Sequence, residues 1–277
     1  MMRNRVFALV DYLIYFFQAN NRHGIHSPFV YQLAEKVVYD SSISTTENIA
    51  ELCRKRMIQS NSKITFEKNT PLAMGKVAEQ KIVSAKYARL LYRLSLQKGN
   101  KHIVEVGSSF AVLPLYLQRE YRNHPDRLFS RNTTSGETVN YESNTIAYHV
   151  FDRSEKSLEI TEFNLQKYHS SERVITHTYQ SASDIIQKLH TLDEIGLFVL
   201  HDSFEEDEFW KILDWLIPRL GSDGAFVMLN KNRSLYQQQR WKQIEKYGPF
   251  TVSIDLFTIG LAFARKEQIK ETFTIRY

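Results

Sequence analysis

Cysteine is almost absent from this sequence, which has a single one, Cys53, among 277 residues. One thiol cannot form an internal disulfide bond, and it excludes a metal site built from a cluster of cysteines. A chain of this kind suits a reducing compartment. We therefore expect a cytoplasmic protein.

The sequence also lacks a hydrophobic run long enough to cross a bilayer. Its most apolar stretch, residues 6–17, is interrupted by Asp11, whereas a membrane-spanning helix needs about 20 apolar residues. Arg3 and Arg5 precede it as in a signal peptide, but no cleavage site of small residues follows. We expect an N-terminal helix buried against the body of the protein or against a second copy in a homodimer. A helix that lies on a membrane surface is the alternative.

Neither sign of charge dominates, because 36 basic residues face 31 acidic ones and give a net charge of +5. This distribution differs from the concentrated basic surface of nucleic-acid-binding proteins, and we expect no nucleic-acid partner. The apolar content of 43% is ordinary for a soluble globular protein. A chain of this length can bury a large core.

Glycine is scarce in the stretch around which the chain is organised. Residues 102–106 are rich in β-branched side chains, which predicts a buried strand of a parallel sheet. Gly107, Ser108 and Ser109 then permit a tight turn into an apolar helix. Free amides at a helix start are donors for a nucleotide-like ligand. An ordinary turn of an α/β protein is the alternative, because one glycine remains of the pattern Glu-x-Gly-x-Gly-x-Gly.

Strand and helix patterns alternate over the rest of the chain. We predict strands at residues 102–106, 146–152, 174–178, 197–203, 225–230, 251–255 and 258–263. The last two are joined too tightly for a helical crossover and must be antiparallel. Residues 1–98 form a helical section before a core of residues 99–277, and the polar stretch 122–145 predicts a flexible loop.

Polar residues end two of the predicted strands. Asp152 ends the second strand, where an acidic residue can bind ribose hydroxyls. The alternative is that Asp152 caps the next helix, a role for which Ser154 competes. His201 and Asp202 end the fourth strand and point to the cleft where ligands of open α/β sheets bind.

The sequence resembles the class I S-adenosylmethionine (SAM)-dependent methyltransferases, and among them a bacterial family related to O-methyltransferases. The resemblance covers nearly the whole chain and rests on His23-Gly24-Ile25-His26-Ser27-Pro28-Phe29-Val30, Ser84-Ala85-Lys86-Tyr87, Glu105-Val106-Gly107-Ser108-Ser109, Ile254-Asp255-Leu256-Phe257-Thr258-Ile259-Gly260-Leu261, Arg265-Lys266-Glu267-Gln268 and Ile275-Arg276-Tyr277.

This resemblance implies a Rossmann-like, doubly wound α/β fold, with a seven-stranded sheet whose last strand is antiparallel. It implies SAM as the cofactor. From its position at the end of a strand, His201 is the residue that we expect to act as general base. The cofactor-binding residues that the resemblance implies are Glu105, Gly107, Ser108, Ser109, Asp152 and Asp202.

The chain departs from the family pattern at functional positions. Ala111 adds a methyl group where SAM approaches the backbone, and His201-Asp202 stands where relatives commonly have an Asp-Gly pair. Leu229-Asn230-Lys231 stands where metal-dependent relatives carry acidic residues, and Lys231 puts a positive charge there. His23 and His26 lack a nearby third ligand, and we favour structural hydrogen bonding for them over metal binding.

We therefore expect a methyltransferase that acts on an unidentified small molecule without a metal ion. The alternative is a catalytically inactive protein of the same fold that serves as a binding or assembly module. A dinucleotide oxidoreductase fits less well, because of the antiparallel terminal pair and the lone Gly107.

Overall fold

The computed structural model of the chain describes residues 5–21, 24–41, 47–66, 71–96, 102–123, 147–170 and 173–277. The α-helices in these ranges are α1 Arg5–Gln18, α2 Pro28–Leu33, α3 Glu47–Ile58, α4 Met74–Lys81, α5 Ala85–Ser95, α6 Val112–Asn123, α7 Glu155–Lys167, α8 Ala182–Lys188, α9 Glu206–Leu216 and α10 Leu235–Lys246. The strands are β1 Lys63–Ile64, β2 Leu72–Ala73, β3 His102–Val106, β4 Ala147–Asp152, β5 Val174–Thr178, β6 Ile195–Leu200, β7 Leu220–Met228, β8 Val252–Asp255, β9 Gly260–Phe263 and β10 Glu271–Thr274.

The chain forms two compact units. One consists of Met1–Ser42 and Ser181–Tyr277, and we call it the terminal unit. The other consists of Ile43–Gln180, and we call it the central unit. The predicted boundary between residues 98 and 99 stays a prediction.

The central unit contains three parallel strands in the order β3, β4, β5. Ile103, Val104 and Val106 of β3 are buried, as the β-branched run predicted. The carboxyl ends of β3 and β4 lie side by side, because Val106 pairs with Phe151. This register brings Asp152 level with the turn that follows β3.

The terminal unit contains five strands in the order β10, β8, β9, β7, β6. Strands β6 and β7 are parallel, and β9 is antiparallel to both β7 and β8. The predicted α/β fold class is confirmed, and the predicted antiparallel strand is β9, which lies between β7 and β8. Strand β10, which is parallel to β8, was not predicted from the sequence.

The hairpin between β8 and β9 accounts for the glycine in its motif. A side chain at Gly260 would place its Cβ 2.3 Å from the indole ring of Trp241. At the tip of the hairpin Phe257 has a φ of 68°, and its amide donates to Oδ1 of Asp255 over 2.7 Å. The motif therefore encodes a tight, closely packed reversal of the chain.

Helix α1 lies against the C-terminal segment of the chain. The hydroxyl of Tyr15 donates to the carbonyl of Ile275 over 2.5 Å, and the Arg276 guanidinium donates to the carbonyl of Phe16 over 2.9 Å. Tyr15 is buried, whereas these apolar side chains of the same helix are exposed: Leu9, Val10, Tyr12, Leu13, Ile14 and Phe17. A homodimer contact through this face stays a prediction. Across the described ranges, no helix is long and apolar enough to span a membrane.

Apolar residues at helical spacing predict one long helix over residues 77–97, and this prediction is wrong. Helix α4 ends at Lys81 and α5 begins at Ala85, with Ile82 in an extended conformation (φ −94°, ψ 127°). Ile82 and Val83 are buried, so the apolar spacing that suggested one helix reflects burial on both sides of a break. Residues 61–75, which form a polar stretch of the sequence, contain β1, β2 and the start of α4 at Met74.

The predicted flexible loop 122–145 lies almost entirely outside the described residues. Its first two residues end α6, which runs to Asn123.

Candidate functional site

The turn after β3 has the backbone conformation of a glycine-rich loop, although two of the residues in that conformation, Phe110 and Ala111, carry side chains. Gly107 has a φ of 90°, and its amide donates to the carbonyl of Phe151 over 2.8 Å. Phe110 and Ala111 have φ values of 55° and 74°, which are left-handed conformations that favour glycine. The third position of the glycine pattern therefore keeps its conformation with alanine in place, at a cost of about 1 kcal/mol.

Glu105 is buried and holds the turn from below. Its Oε1 accepts a hydrogen bond of 2.7 Å from the amide of Ser109, and its Oε2 accepts one of 2.7 Å from the hydroxyl of Tyr148. Burial raises the pKa of Glu105 to about 7, although both hydrogen bonds act in the opposite direction. The acid that was expected to contact the cofactor thus bonds within the chain through both oxygens.

Asp152, at the end of β4, also bonds to this turn. Its Oδ2 accepts a hydrogen bond of 2.9 Å from the amide of Ser108, and its Oδ1 accepts one of 2.9 Å from the amide of Ser154. The alternative interpretation of Asp152 as a helix cap is wrong. Ser154 is the N-cap of α7, and its hydroxyl accepts from the amide of Ser157.

Lys81, which the sequence analysis did not identify, is the third partner of Asp152. Its ammonium lies 2.5 Å from Oδ2 of Asp152 and 3.0 Å from the hydroxyl of Ser157. It also lies 5.4 Å from the centre of the Phe110 ring. Lys81 ends α4 and is 71 residues from Asp152 in the chain, so no local pattern reveals the pair.

The amides of the turn are bonded within the chain. The amide of Ser108 donates to Asp152, and the amide of Ser109 donates to Glu105. The amide of Phe110 donates to the hydroxyl of Ser108 over 3.0 Å, and that of Leu113 donates to the hydroxyl of Ser109 over 3.0 Å. The free donors expected at the helix start are therefore engaged, and the buried hydroxyls of Ser108 and Ser109 are engaged with them.

The terminal unit has a cavity of about 630 Å³ beyond the carboxyl ends of β6 and β7. His201 and Asp202 line it together and are half-buried. Asn230 and Arg233 line it from the segment after β7. A strand-end cavity with a histidine, a carboxylate and a guanidinium can bind a polar molecule and exchange a proton with it.

A hydrogen-bonded pair supports the segment that follows His201. The hydroxyl of Tyr236 donates to the carbonyl of Phe204 over 2.8 Å and accepts from the guanidinium of Arg240. Arg240 is buried, with its guanidinium 4.6 Å from the centre of the Phe209 ring. Helix α10 thereby fixes one wall of the cavity.

Lys231 does not line this cavity, and the expectation that it puts a positive charge where relatives bind a metal stays a prediction. Its ammonium lies 2.9 Å from Oδ2 of Asp255 and 3.3 Å from Oδ1 of Asn232. The cation beside the cavity is Arg233. Among the residues that the structure describes, no group of three histidine, cysteine, aspartate or glutamate side chains could hold a metal ion. His26 is exposed, and His23 lies outside the described residues.

The predicted site residues therefore form two groups. Glu105, Gly107, Ser108, Ser109 and Asp152 come together in the central unit. His201 and Asp202 come together at the cavity of the terminal unit.

The chain has the class I SAM-methyltransferase fold. No protein-family model and no curated protein matches the sequence, but solved structures do. The SAH-bound methyltransferase PaMTH1 of Podospora anserina is 10% identical and matches with a TM-score of 0.53 over 87% of this chain and 97% of its own. A putative caffeoyl-CoA O-methyltransferase from Staphylococcus aureus is 14% identical, with a TM-score of 0.52 over 85% of this chain and 97% of its own. A putative O-methyltransferase from Klebsiella pneumoniae is 11% identical, with a TM-score of 0.52 over 86% of this chain and 97% of its own. At these identities the likeness concerns the fold.

Proposed function

We propose that this protein is a class I SAM-dependent methyltransferase that acts on a polar small molecule without a metal ion. One observation carries the proposal: Asp152 at the end of β4 and Glu105 near the end of β3 both bond to the turn after β3. An acidic residue at the end of the second strand, beside this turn, is where α/β folds bind the ribose hydroxyls of a nucleoside ligand. The likeness to an SAH-bound methyltransferase supports SAM as that ligand.

The residues of the turn fit the cofactor. The carboxylate of Asp152 is buried beside the turn, where it would accept hydrogen bonds from the ribose hydroxyls. Gly107 and Ala111 have the positive φ values of a glycine-rich loop. Glu105 would affect cofactor binding indirectly, because it fixes the position of the turn through the amide of Ser109.

Bound SAM supplies a methyl group already activated by its sulfonium. The task of this chain is then to align an acceptor oxygen or nitrogen with that methyl group and to remove a proton. We assign proton removal to His201, which lines the cavity of the terminal unit. In that reaction His201 would accept the proton that the acceptor oxygen or nitrogen loses.

The cavity lining supports a polar acceptor. Asp202 and Arg233 offer one negative and one positive group, so a hydroxyl or amine compound with a further polar group would be oriented by both. The segment after β7 supplies Leu229 and Asn230 to the lining, and these residues stand where metal-dependent relatives carry acidic ones. We therefore expect the reaction to proceed without a divalent cation.

SAH release from SAM, measured across a library of small hydroxyl and amine compounds, tests this proposal. His201→Ala should lower turnover by about 100-fold or more and leave SAM affinity unchanged. His190→Ala is the matched control, because His190 is exposed and outside the cavity. Unchanged turnover in the His201 variant would remove His201 from the mechanism. Loss of turnover after treatment with a chelator would contradict the metal-free reaction.

The comparisons give no support to the alternative, a catalytically inactive binding or assembly protein. It remains an outcome of the same experiments. That protein would release no SAH with any acceptor and would bind neither SAM nor SAH.

A further inference from the structure

We propose that Lys81 competes with the ribose hydroxyls of the cofactor for the carboxylate of Asp152 and so sets the affinity of the site. This inference rests on the proposed function, because it concerns how strongly the same site holds an adenosyl ligand.

The hydrogen bonds of Asp152 lead to this competition. A carboxylate has about four acceptor positions, and three groups already use those of Asp152. They are the amides of Ser108 and Ser154 and the ammonium of Lys81. A ribose diol needs two positions, so one of the three donors must leave when the cofactor binds.

Lys81 is the donor that can leave. The amides of Ser108 and Ser154 are part of the turn and of the helix start, and moving them would move the backbone. The side chain of Lys81 is 26% exposed, whereas that of Asp152 is 4% exposed. Its flexible stem can carry the ammonium to solvent, or leave it on the hydroxyl of Ser157 at 3.0 Å.

Removing the ammonium should therefore strengthen cofactor binding. In the wild-type protein the ribose hydroxyls must replace the charge-assisted hydrogen bond between Lys81 and Asp152. The loss of that bond offsets part of the binding free energy of the hydroxyls. Without the ammonium, the hydroxyls meet an available carboxylate oxygen. We expect Lys81→Met to bind SAH roughly tenfold more tightly than the wild-type protein.

Calorimetric titration with two ligands tests the proposal: SAH, and an SAH analogue without the two ribose hydroxyls. The gain in Lys81→Met should appear with SAH and vanish with the analogue, because only the hydroxyls compete with the ammonium. A general change in the protein would alter the affinity for both ligands by the same factor. Lys81→Arg should restore wild-type affinity for SAH.

Lys76→Met is the matched control, because Lys76 is an exposed lysine of the same helix. It should leave both affinities unchanged. If Lys81→Met does not fold, as thermal unfolding would reveal, Lys81→Gln keeps a hydrogen-bonding group without the charge and carries the same expectation.

The outcomes separate this inference from the proposed function. Tighter SAH binding that depends on the ribose hydroxyls supports the competition, including the case in which the variant alone binds. Equal or weaker SAH binding in folded Lys81 variants overturns it and leaves the methyltransferase proposal standing. If neither the wild-type protein nor any folded variant binds SAH, both proposals fail.

Discussion

The hydroxyl of Tyr148 donates a hydrogen bond of 2.7 Å to the buried carboxyl of Glu105. The two residues lie on neighbouring strands, and the other oxygen of Glu105 holds the amide of Ser109. A side chain of β4 therefore supports the turn after β3. Burial and the nearby Glu105 carboxyl raise the pKa of Tyr148 well above its usual value.

Tyr148→Phe should destabilise the protein, because it leaves a buried oxygen of Glu105 without its donor. We expect a loss of about 1–3 kcal/mol in the free energy of unfolding, measured by urea denaturation at pH 7. Tyr31→Phe removes a hydroxyl from an exposed side chain and should change stability by less than about 0.5 kcal/mol. Equal effects in the two variants would argue against a supporting role for Tyr148.

The carboxyl of Glu105 should make the protein less stable as the pH rises. Its pKa is about 7 in the folded chain against 4.5 when exposed, so folding favours the protonated acid. That stabilisation is complete below pH 4.5 and is lost as the pH rises through 7, by about 3 kcal/mol in all. Glu105→Gln, which mimics the neutral acid, should not show this loss.

Urea denaturation of both proteins between pH 4.5 and 8 measures the difference. Glu267→Gln, at an exposed position, should follow the wild-type profile. A constant difference between wild-type and Glu105→Gln proteins over this range would show that Glu105 titrates normally.

Buried His149 should make the protein less stable as the pH falls, which is the opposite of the effect of Glu105. Burial first, and then the neighbouring His177 and His102, lower the pKa of His149 to about 4. The ring of His149 stacks on that of His177 at 5.5 Å. Folding favours the neutral imidazole, so this contribution is complete above pH 6.5 and is lost as the pH falls towards 4.

His149→Asn should therefore flatten the acid side of the stability profile, by up to about 3 kcal/mol between pH 6.5 and 4. His190→Asn, at an exposed site, should keep the wild-type slope. An unchanged slope in the His149 variant would assign acid sensitivity to other groups.

Ser27 and Gln268, which belong to the motifs at residues 23–30 and 265–268, should be energetically coupled. The amide of Gln268 donates to the hydroxyl of Ser27 over 2.5 Å across 241 residues. Ser27→Ala and Gln268→Ala should each cost about 1 kcal/mol, and the double variant should cost clearly less than their sum. Strict additivity in a double-mutant cycle would contradict a direct bond.

The sequence predicted the parts of this fold that local pattern determines. The β-branched run of β3 and the short link between β8 and β9 each specify a strand or a pairing without knowledge of the rest. The break between α4 and α5 escaped prediction, because Ile82 and Val83 continue the helical spacing of apolar residues while lying in an extended segment. Strand β10 was not predicted because three of its four residues are polar and none of the four is buried.

The candidate site was predictable in its acidic residues and not in their partners. Asp152 ends a strand whose position follows from pattern. Lys81 reaches Asp152 from a helix 71 residues away, and Tyr148 reaches Glu105 across 43 residues. These pairs depend on packing in three dimensions, which spacing along the chain does not encode.

Calorimetric titration of the wild-type protein with SAM and with SAH tests the central claim most directly. We expect one binding site with a dissociation constant in the micromolar range for each ligand, and clearly weaker SAH binding in Asp152→Asn than in the exposed control Asp193→Asn. No heat of binding for the wild-type protein or the Lys81 variants up to millimolar ligand would contradict it, and the chain would then keep the methyltransferase fold without the cofactor.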